Sequence, residues 1–529
     1  MTVRSKVLLI GIVALYLALA QLSASTLMPW CDEAWFAGPA LNLLTKGYMG
    51  TPVLDPTAEW HVRDLTGIDR YTYWIEPLYP LSQTIWFHFF NFGLFSVRLY
   101  SVFWGLVALA SWLAIVWKLS GQVRAGVVTA GLLAVDFQFV WSASVGRMDM
   151  MCGALGASGI AAFLWLRERN LGGALLAGTA LVVAAGLTHP VAISTFAGFV
   201  ALAWYLDGSR IRFHHLAMAA LPFLVGAASW GWYIARDPAV FWAQYKGNVS
   251  DRLVSGPLLE WLRSQSIRRY LFMYGLAPDT HGFSHIKIVV LLFYLAGLVG
   301  ALTSGAIRGH KGYRALLLYG LVASLVIAAV DKDIQSFYLV HLVMPLAAIT
   351  AVWLCSMWEA QRQARWALAG IVAGALTVQL AVAGSRIVQD PYHKNYLSAT
   401  QFLKQHATAG DVVFGSAELA FQLGFDGQVI DDYRLGFRTG KKASFVVLDQ
   451  NRYVEWIANL EKQEPQTYQY IQSMLHRDFR LVHVDGAYQI YERKSLIAKT
   501  GLILSRLGDR RDSGTHLPYV WIALRNRQS

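Results

Sequence analysis

Eleven runs of about 20 mostly apolar residues fill the first 385 positions of this chain, and a run of that kind is what an α-helix needs to cross a hydrocarbon layer. They lie at roughly 6–28, 98–117, 125–142, 150–166, 171–187, 190–206, 215–235, 287–305, 314–330, 337–356 and 366–385. Inside lipid every backbone N–H and C=O must be satisfied within the chain, so such runs fold as helices. Charged residues are 15% of the 529, against about 25% in soluble domains, and they crowd into the region after 385. A cytosolic globular enzyme is excluded. The expected architecture is a polytopic α-helical membrane part, 1–385, followed by a soluble α/β domain, 386–529. The first run follows Arg4 and Lys6 and ends at Leu27-Met28-Pro29 without a small-x-small cleavage site, so it reads as a retained anchor.

The loops set the orientation. The segment 77–93 (PLYPLSQTIWFHFFNFG) is short, aromatic and flanked by prolines. If it does not cross, the clusters Arg4/Lys6, Lys118/Arg124, Arg167/Arg169, Arg210/Arg212, Arg308/Lys311/Arg314 and Arg362/Arg365 all fall on one side, in short connections. That is the positive-inside pattern. If it does cross, all but the first cluster move outside. The segment therefore reads as an amphipathic helix at the outer interface, the N-terminus as cytoplasmic, and 29–97, 236–286 and the region after 386 as extracytoplasmic. The setting expected for such a chain is a bacterial cytoplasmic membrane.

Net charge is +12, but the basic residues recur in short clusters rather than one stripe, so nucleic acid is not an expected partner. Cys31, Cys152 and Cys355 are too few for a disulfide framework. After 391, helix is expected over 396–406, strands over 411–415 and 444–448, and a hairpin over 481–491 that turns at Asp485-Gly486. No Walker loop, dinucleotide fingerprint or zinc spacing occurs there.

Two constellations on the expected outer face carry ionisable groups. Pro29-Trp30-Cys31-Asp32-Glu33-Ala34-Trp35 places two acids just past the first run. Acids in a first helical turn complement the dipole; the same acids at a lipid–water boundary also suit a general base. Gly146-Arg147-Met148-Asp149 stands at the outer end of the third run, either as a cap with an interface anchor or as a functional pair, since ionisable groups at membrane depth tend to be functional. Asp136, inside the third run, reads as a buried, hydrogen-bonded acid.

Taken in order, DEAWFAGPALNLLTKGY (32–48), EPLYPLSQTIW (76–86), FGLFSVRLYS (92–101), SVGRMDMM (144–151) and QSFYLVHLVMP (335–345) resemble the GT-C superfamily of integral-membrane glycosyltransferases, and most of all the branch of protein O-mannosyltransferases and the lipid A aminoarabinose transferase. The resemblance covers most of the membrane part. It implies a donor sugar on a polyprenyl phosphate, transferred with inversion to a protein, lipid or glycan acceptor on the outer side of the bilayer. Carried over by position, Asp32 matches the general base, Glu33 its neighbour and Asp149 the second acid. Tyr338 and Gln335 match a late motif near the lipid phosphate. Charge developing on that phosphate needs cations or donors, and the candidates are Arg147, His189, Lys332 and, in the 236–286 loop, Arg252, Arg263, Arg268 and Arg269, because arginine's fork suits phosphate. Glu76 stands where many relatives carry lysine, as a third acid of the site or a helix cap. A divalent cation held by Asp32, Glu33, Glu76 and Asp149 is an open possibility. The alternative from another class is a secondary transporter or a flippase of lipid-linked sugar, which an inverted repeat and acids at the bilayer midplane would favour; neither feature is evident.

Overall fold

The computed structural model describes residues 2–60, 63–250, 257–277, 280, 282–331, 336–360, 363, 365–450 and 452–494. In chain order its helices are α1 (Val3–Thr26), α2 (Cys31–Lys46), α3 (Leu78–Phe90), α4 (Leu94–Ser120), α5 (Val123–Val135), α6 (Phe137–Ser144), α7 (Met148–Leu166), α8 (Leu171–Gly186), α9 (Ala192–Asp207) and α10 (Phe213–Ile234). They continue as α11 (Pro238–Ser250), α12 (Leu258–Ser266), α13 (Ile288–Thr303), α14 (Gly305–Gly309), α15 (Lys311–Val330), α16 (Leu339–Ala360) and α17 (Arg365–Gln389). Among the described residues eight helical segments are long and apolar enough to cross a bilayer, and the bent pair α5–α6 adds a ninth. The two remaining apolar runs became α8 and α9, 16 residues each, or about 24 Å at 1.5 Å per residue. All eleven runs are therefore helical, though two are shorter than a full crossing.

The segment 77–93 is a helix of 13 residues, α3, that packs on α2. The bend in the third run, 64° between α5 and α6, has a polar cause. Asp136 leaves the helix and caps α6, its Oδ1 accepting from the N–H groups of Gln138 (3.0 Å) and Phe139 (2.9 Å). Its Oδ2 accepts from the Tyr294 hydroxyl at 2.7 Å and Gln379 Nε2 at 2.8 Å. A buried carboxyl with four donors is compensated for its desolvation. The aromatics near 71–73, 230–233 and 241–245 pack on one another, Tyr73 lying 4.8 Å from Tyr233 and Phe241 5.0 Å from Tyr245 between ring centroids.

Two short strands, β1 (Glu59–Trp60) and β2 (Arg63–Asp64), pair in the first long loop. The C-terminal region is a mixed sheet of β3 (Val413–Phe414), β4 (Val429–Ile430), β5 (Phe445–Asp449), β6 (Phe479–Asp485) and β7 (Tyr488–Arg493), in the order β4-β3-β5-β7-β6. β3 runs parallel to β4 and β5, while β6–β7 is the expected hairpin, with Gly486 at φ +51° in its turn. Helices α18 (Leu397–His406), α19 (Ala420–Leu423), α20 (Tyr453–Gln463) and α21 (Pro465–Asp478) complete this region. The sheet region sits on the loop between α1 and α4. The Asp431 N–H donates to the Val53 carbonyl at 2.8 Å, Lys441 pairs with Asp55 at 2.5 Å, and Phe92 meets Phe421 and Phe425.

Candidate active site

The turn from α1 into α2 and the turn from α6 into α7 meet at the end of the bundle that carries the sheet region. Glu33 locks them together. It is fully buried and takes a two-pronged ion pair from Arg98 of α4 (Nε–Oε1 2.8 Å, Nη2–Oε2 2.9 Å). It also accepts from the Gly146 N–H at 2.8 Å and the Trp30 N–H at 2.9 Å, the latter closing the first turn of α2. The remaining nitrogen of Arg98 donates to the carbonyls of Ala24 (2.6 Å) and Leu27 (2.9 Å) at the end of α1. Residue 146 has to be glycine for a steric reason, because a Cβ there would lie 2.2 Å from Val97 Cγ1 and 3.2 Å from Glu33 Oε1.

That lock presents Asp32 and Asp149 to one guanidinium. Arg147, the N-cap residue of α7, pairs through Nη1 with Asp32 Oδ2 and through Nε with Asp149 Oδ2 at 2.9 Å. Its plane rests on the ring of Phe337, with Cζ 3.7 Å from the centroid, and Phe337 stacks on Trp141 at 4.9 Å. Exposure separates the two acids: the Asp32 side chain is 16% exposed, that of Asp149 only 3%. Asp32 is the more accessible of the two acids. The Cys31 thiol donates to its Oδ1 at 3.6 Å, and Asp149 Oδ1 has no hydrogen-bond partner among the described residues.

A second set of side chains closes over Asp149, with His189 and His341 both within electrostatic reach of it. His189 Nδ1 accepts from the Val191 N–H at 3.0 Å, so the neutral ring carries its proton on Nε2, which lies 3.4 Å from the Tyr338 hydroxyl. His341 sits over Gly153, and its Nε2 has no partner among the described residues. Glu76 is buried and acts electrostatically on Cys152, on the first turns of α7. All three cysteines are free and buried.

Asp32, Glu33, Arg147, Asp149, His189 and Tyr338 thus come together. Arg269 does not offer an open guanidinium: it is buried against Asp331 (2.7 Å) and Gln265, because an arginine at that depth needs a carboxylate partner. Arg263 and Arg268 are exposed. Lys332, Gln335 and Arg252 lie outside the described residues. The four acids do not assemble as a cation site either. Glu33 is taken by Arg98, Asp32 and Asp149 share Arg147, and among the described residues no group of three or more His, Cys, Asp or Glu side chains is placed to hold a metal ion. A guanidinium stands between Asp32 and Asp149, at the place where a divalent ion was one open possibility.

Sequence reading missed Arg98, Phe337, His341 and Arg386. Arg98 had a signal, since an arginine inside an apolar helix needs a buried acid. Arg386, in the last turn of α17, has its Cζ 5.5 Å from the Phe137 ring and 5.9 Å from Trp141, and its Nη1 is buried without a hydrogen bond among the described residues.

No protein-family model matches this chain, and no curated protein matches it in sequence. Solved structures do match in shape. ArnT from Cupriavidus metallidurans bound to undecaprenyl phosphate superimposes with a TM-score of 0.60 at 14% identity, over 91% of this chain and 97% of that one. This is the GT-C fold. The apo form of ArnT gives 0.59 at 14% identity over the same shares. The archaeal oligosaccharyltransferase AglB from Archaeoglobus fulgidus, in complex with an inhibitory peptide and a dolichol-phosphate, gives 0.54 at 12% identity, over 86% of this chain and 72% of that one. With its apolar helices arranged in the GT-C fold, the chain is a multi-pass integral membrane protein.

Proposed function

We propose that this protein is a glycosyltransferase that moves a hexosyl or pentosyl group from a polyprenyl phosphate to an acceptor hydroxyl or amine on the extracytoplasmic side of a bacterial cytoplasmic membrane, inverting the anomeric centre. The observation that carries the reading is the bridge Asp32–Arg147–Asp149 at one end of a GT-C bundle. Asp32 takes the acceptor proton as the nucleophile forms its bond to the anomeric carbon. The bond from that carbon to the phosphate oxygen breaks in the same displacement, and polyprenyl phosphate departs already ionised, without needing a proton. Arg147 orients Asp32, and Asp149 holds Arg147 from the buried side. The growing phosphate charge needs a cation that no carboxylate has claimed. Arg386, against the Trp141–Phe337 stack and with no carboxylate partner among the described residues, is such a cation. Between α13, α15 and α16 an apolar groove of about 640 Å³, lined by Leu295, Leu298, Leu317, Leu321, Leu346 and Ile349, suits an isoprenoid chain.

A transporter would need a working acid near the middle of the bundle. The buried acid of the bent third run, Asp136, is fully engaged by two N–H groups, Tyr294 and Gln379, which favours the transferase. The test is Asp32→Asn in proteoliposomes supplied with a labelled polyprenyl-phosphate sugar and candidate acceptors. Transfer should fall by about 10³-fold, as expected when a general base is lost, while the protein still folds and inserts. Undiminished transfer would sink the assignment of the base.

A further inference from the structure

The proposed reaction uses groups from the membrane bundle, yet the start of α2 is also gripped from the sheet region. Arg452, which precedes α20, is almost fully buried and pairs through Nη2 with Glu418 Oε1 at 2.8 Å. Its own N–H donates to Asp449 Oδ1 at 3.1 Å, and its Nε lies 3.8 Å from Asp449 Oδ2. Glu418 is held in turn by the Ser416 and Tyr488 hydroxyls. The sheet region thereby fixes this guanidinium, and the guanidinium reaches across to the bundle. Its Cζ stands 4.3 Å from the centroid of Trp30, two residues before Asp32. The other edge of Trp30 meets Phe337 at 5.9 Å, and Phe337 is the ring beneath Arg147. A second tie runs parallel to the first, from Trp35 Nε1 to Asp431 Oδ2 at 3.1 Å.

We infer that Arg452 is a positioning residue for transfer: by stacking on Trp30 it sets the first turn of α2, and with it the Asp32 carboxylate, against Arg147. The sheet region is on this view part of the active site rather than an appendage to it. A desolvated guanidinium over tryptophan is the strong form of the cation–π contact, and an error of a fraction of an ångström in a base costs turnover more than binding. The inference rests on the transferase reading, so its test has one arm that needs no transfer.

The experiment is a double-mutant cycle of Arg452→Met and Trp30→Leu in the full-length protein. Each single variant should lower kcat at least tenfold while KM for the polyprenyl-phosphate sugar stays within about twofold, and the double variant should be no slower than the worse single. Trp30→Phe, which keeps a ring, should recover most of the loss. Trp30→Leu leaves the Glu418–Arg452–Asp449 set intact, so the test survives if Arg452→Met does not fold. In the second arm Cys152 and Cys355 are replaced by alanine and maleimide labelling of Cys31, itself buried, is timed. Both Arg452→Met and Trp30→Leu should speed labelling at least tenfold. Multiplicative losses in the cycle, or labelling rates equal to the parent's, would overturn the inference. An unmodified protein that transfers no sugar from any polyprenyl phosphate would overturn the transferase reading instead, with the labelling arm still deciding the role of Arg452.

Discussion

A single buried acid, Glu33, determines how the turn into α2 and the turn into α7 meet. Both its oxygens are taken, by Arg98, Gly146 and Trp30, so Glu33→Ala leaves the Arg98 charge buried without a partner. Breaking a buried pair from one side costs about 3–5 kcal/mol, and the loss should appear as a large drop in melting temperature in detergent, measured beside Glu33→Gln, which retains the shape. Arg98→Ala should destabilise to a similar extent, since it strands Glu33. Under the proposed reaction the two neighbouring acids divide by role: a substitution at Asp32 should act on turnover, one at Glu33 on folding. The sequence shows Asp32 and Glu33 side by side and cannot separate them, because the difference is which way each points from the first turn of a helix. Gly146 illustrates the same limit. It stands in the motif as a glycine, but the reason is a contact with Val97 and Glu33, and both are distant in sequence.

At the level of elements, the helices were legible and their interruptions were not. A run of about 20 apolar residues states its own secondary structure, and Asp485-Gly486 states its turn. The break at Asp136 needed the fold, because it depends on Tyr294 from α13 and Gln379 from α17 reaching a carboxylate in the third run. That arrangement predicts an asymmetry. Asp136→Asn keeps the Oδ1 cap to Gln138 and Phe139 but turns an acceptor for Tyr294 and Gln379 into a donor, whereas Asp136→Leu removes every contact and strands four donors. A buried polar group left without a partner costs about 1–3 kcal/mol. Asp136→Leu should therefore fail to accumulate in membranes while Asp136→Asn accumulates at a reduced level, as measured by the yield of monodisperse protein on size exclusion. Equal yields from the two variants would remove the polar cause given for the bend. Arg269 was misjudged for a related reason: the basic 236–286 loop looks solvated in sequence, but its partner Asp331 comes from the end of α15.

On the scale of the whole molecule, the acids of the sheet region join it to the bundle, and their titration should show in stability. Burial raises the Asp431 carboxyl to about 7, the Tyr453 hydrogen bond opposing this and the Glu418 charge adding to it. Glu418 and Asp432 are raised as well, in each case chiefly by burial. Trp35 of α2 donates to Asp431, and Arg452 and Cys31 complete the surroundings. The sign follows from linkage. An unfolded aspartate ionises near 3.9, so between about pH 4 and pH 7 the folded protein holds a proton that the unfolded chain has lost. Stability from this group is complete below the unfolded value, falls as pH rises through about 7, and is flat above that. The acids whose values are lowered titrate below this range and do not offset it; half-buried Glu464, held by Arg434, lies at about 2. The melting temperature of the full-length protein in detergent should therefore change more negatively between pH 5 and pH 7 than that of Asp431→Asn, which stays neutral throughout. Equal slopes for the parent and Asp431→Asn over that interval would show that the folded protein holds no extra proton on Asp431.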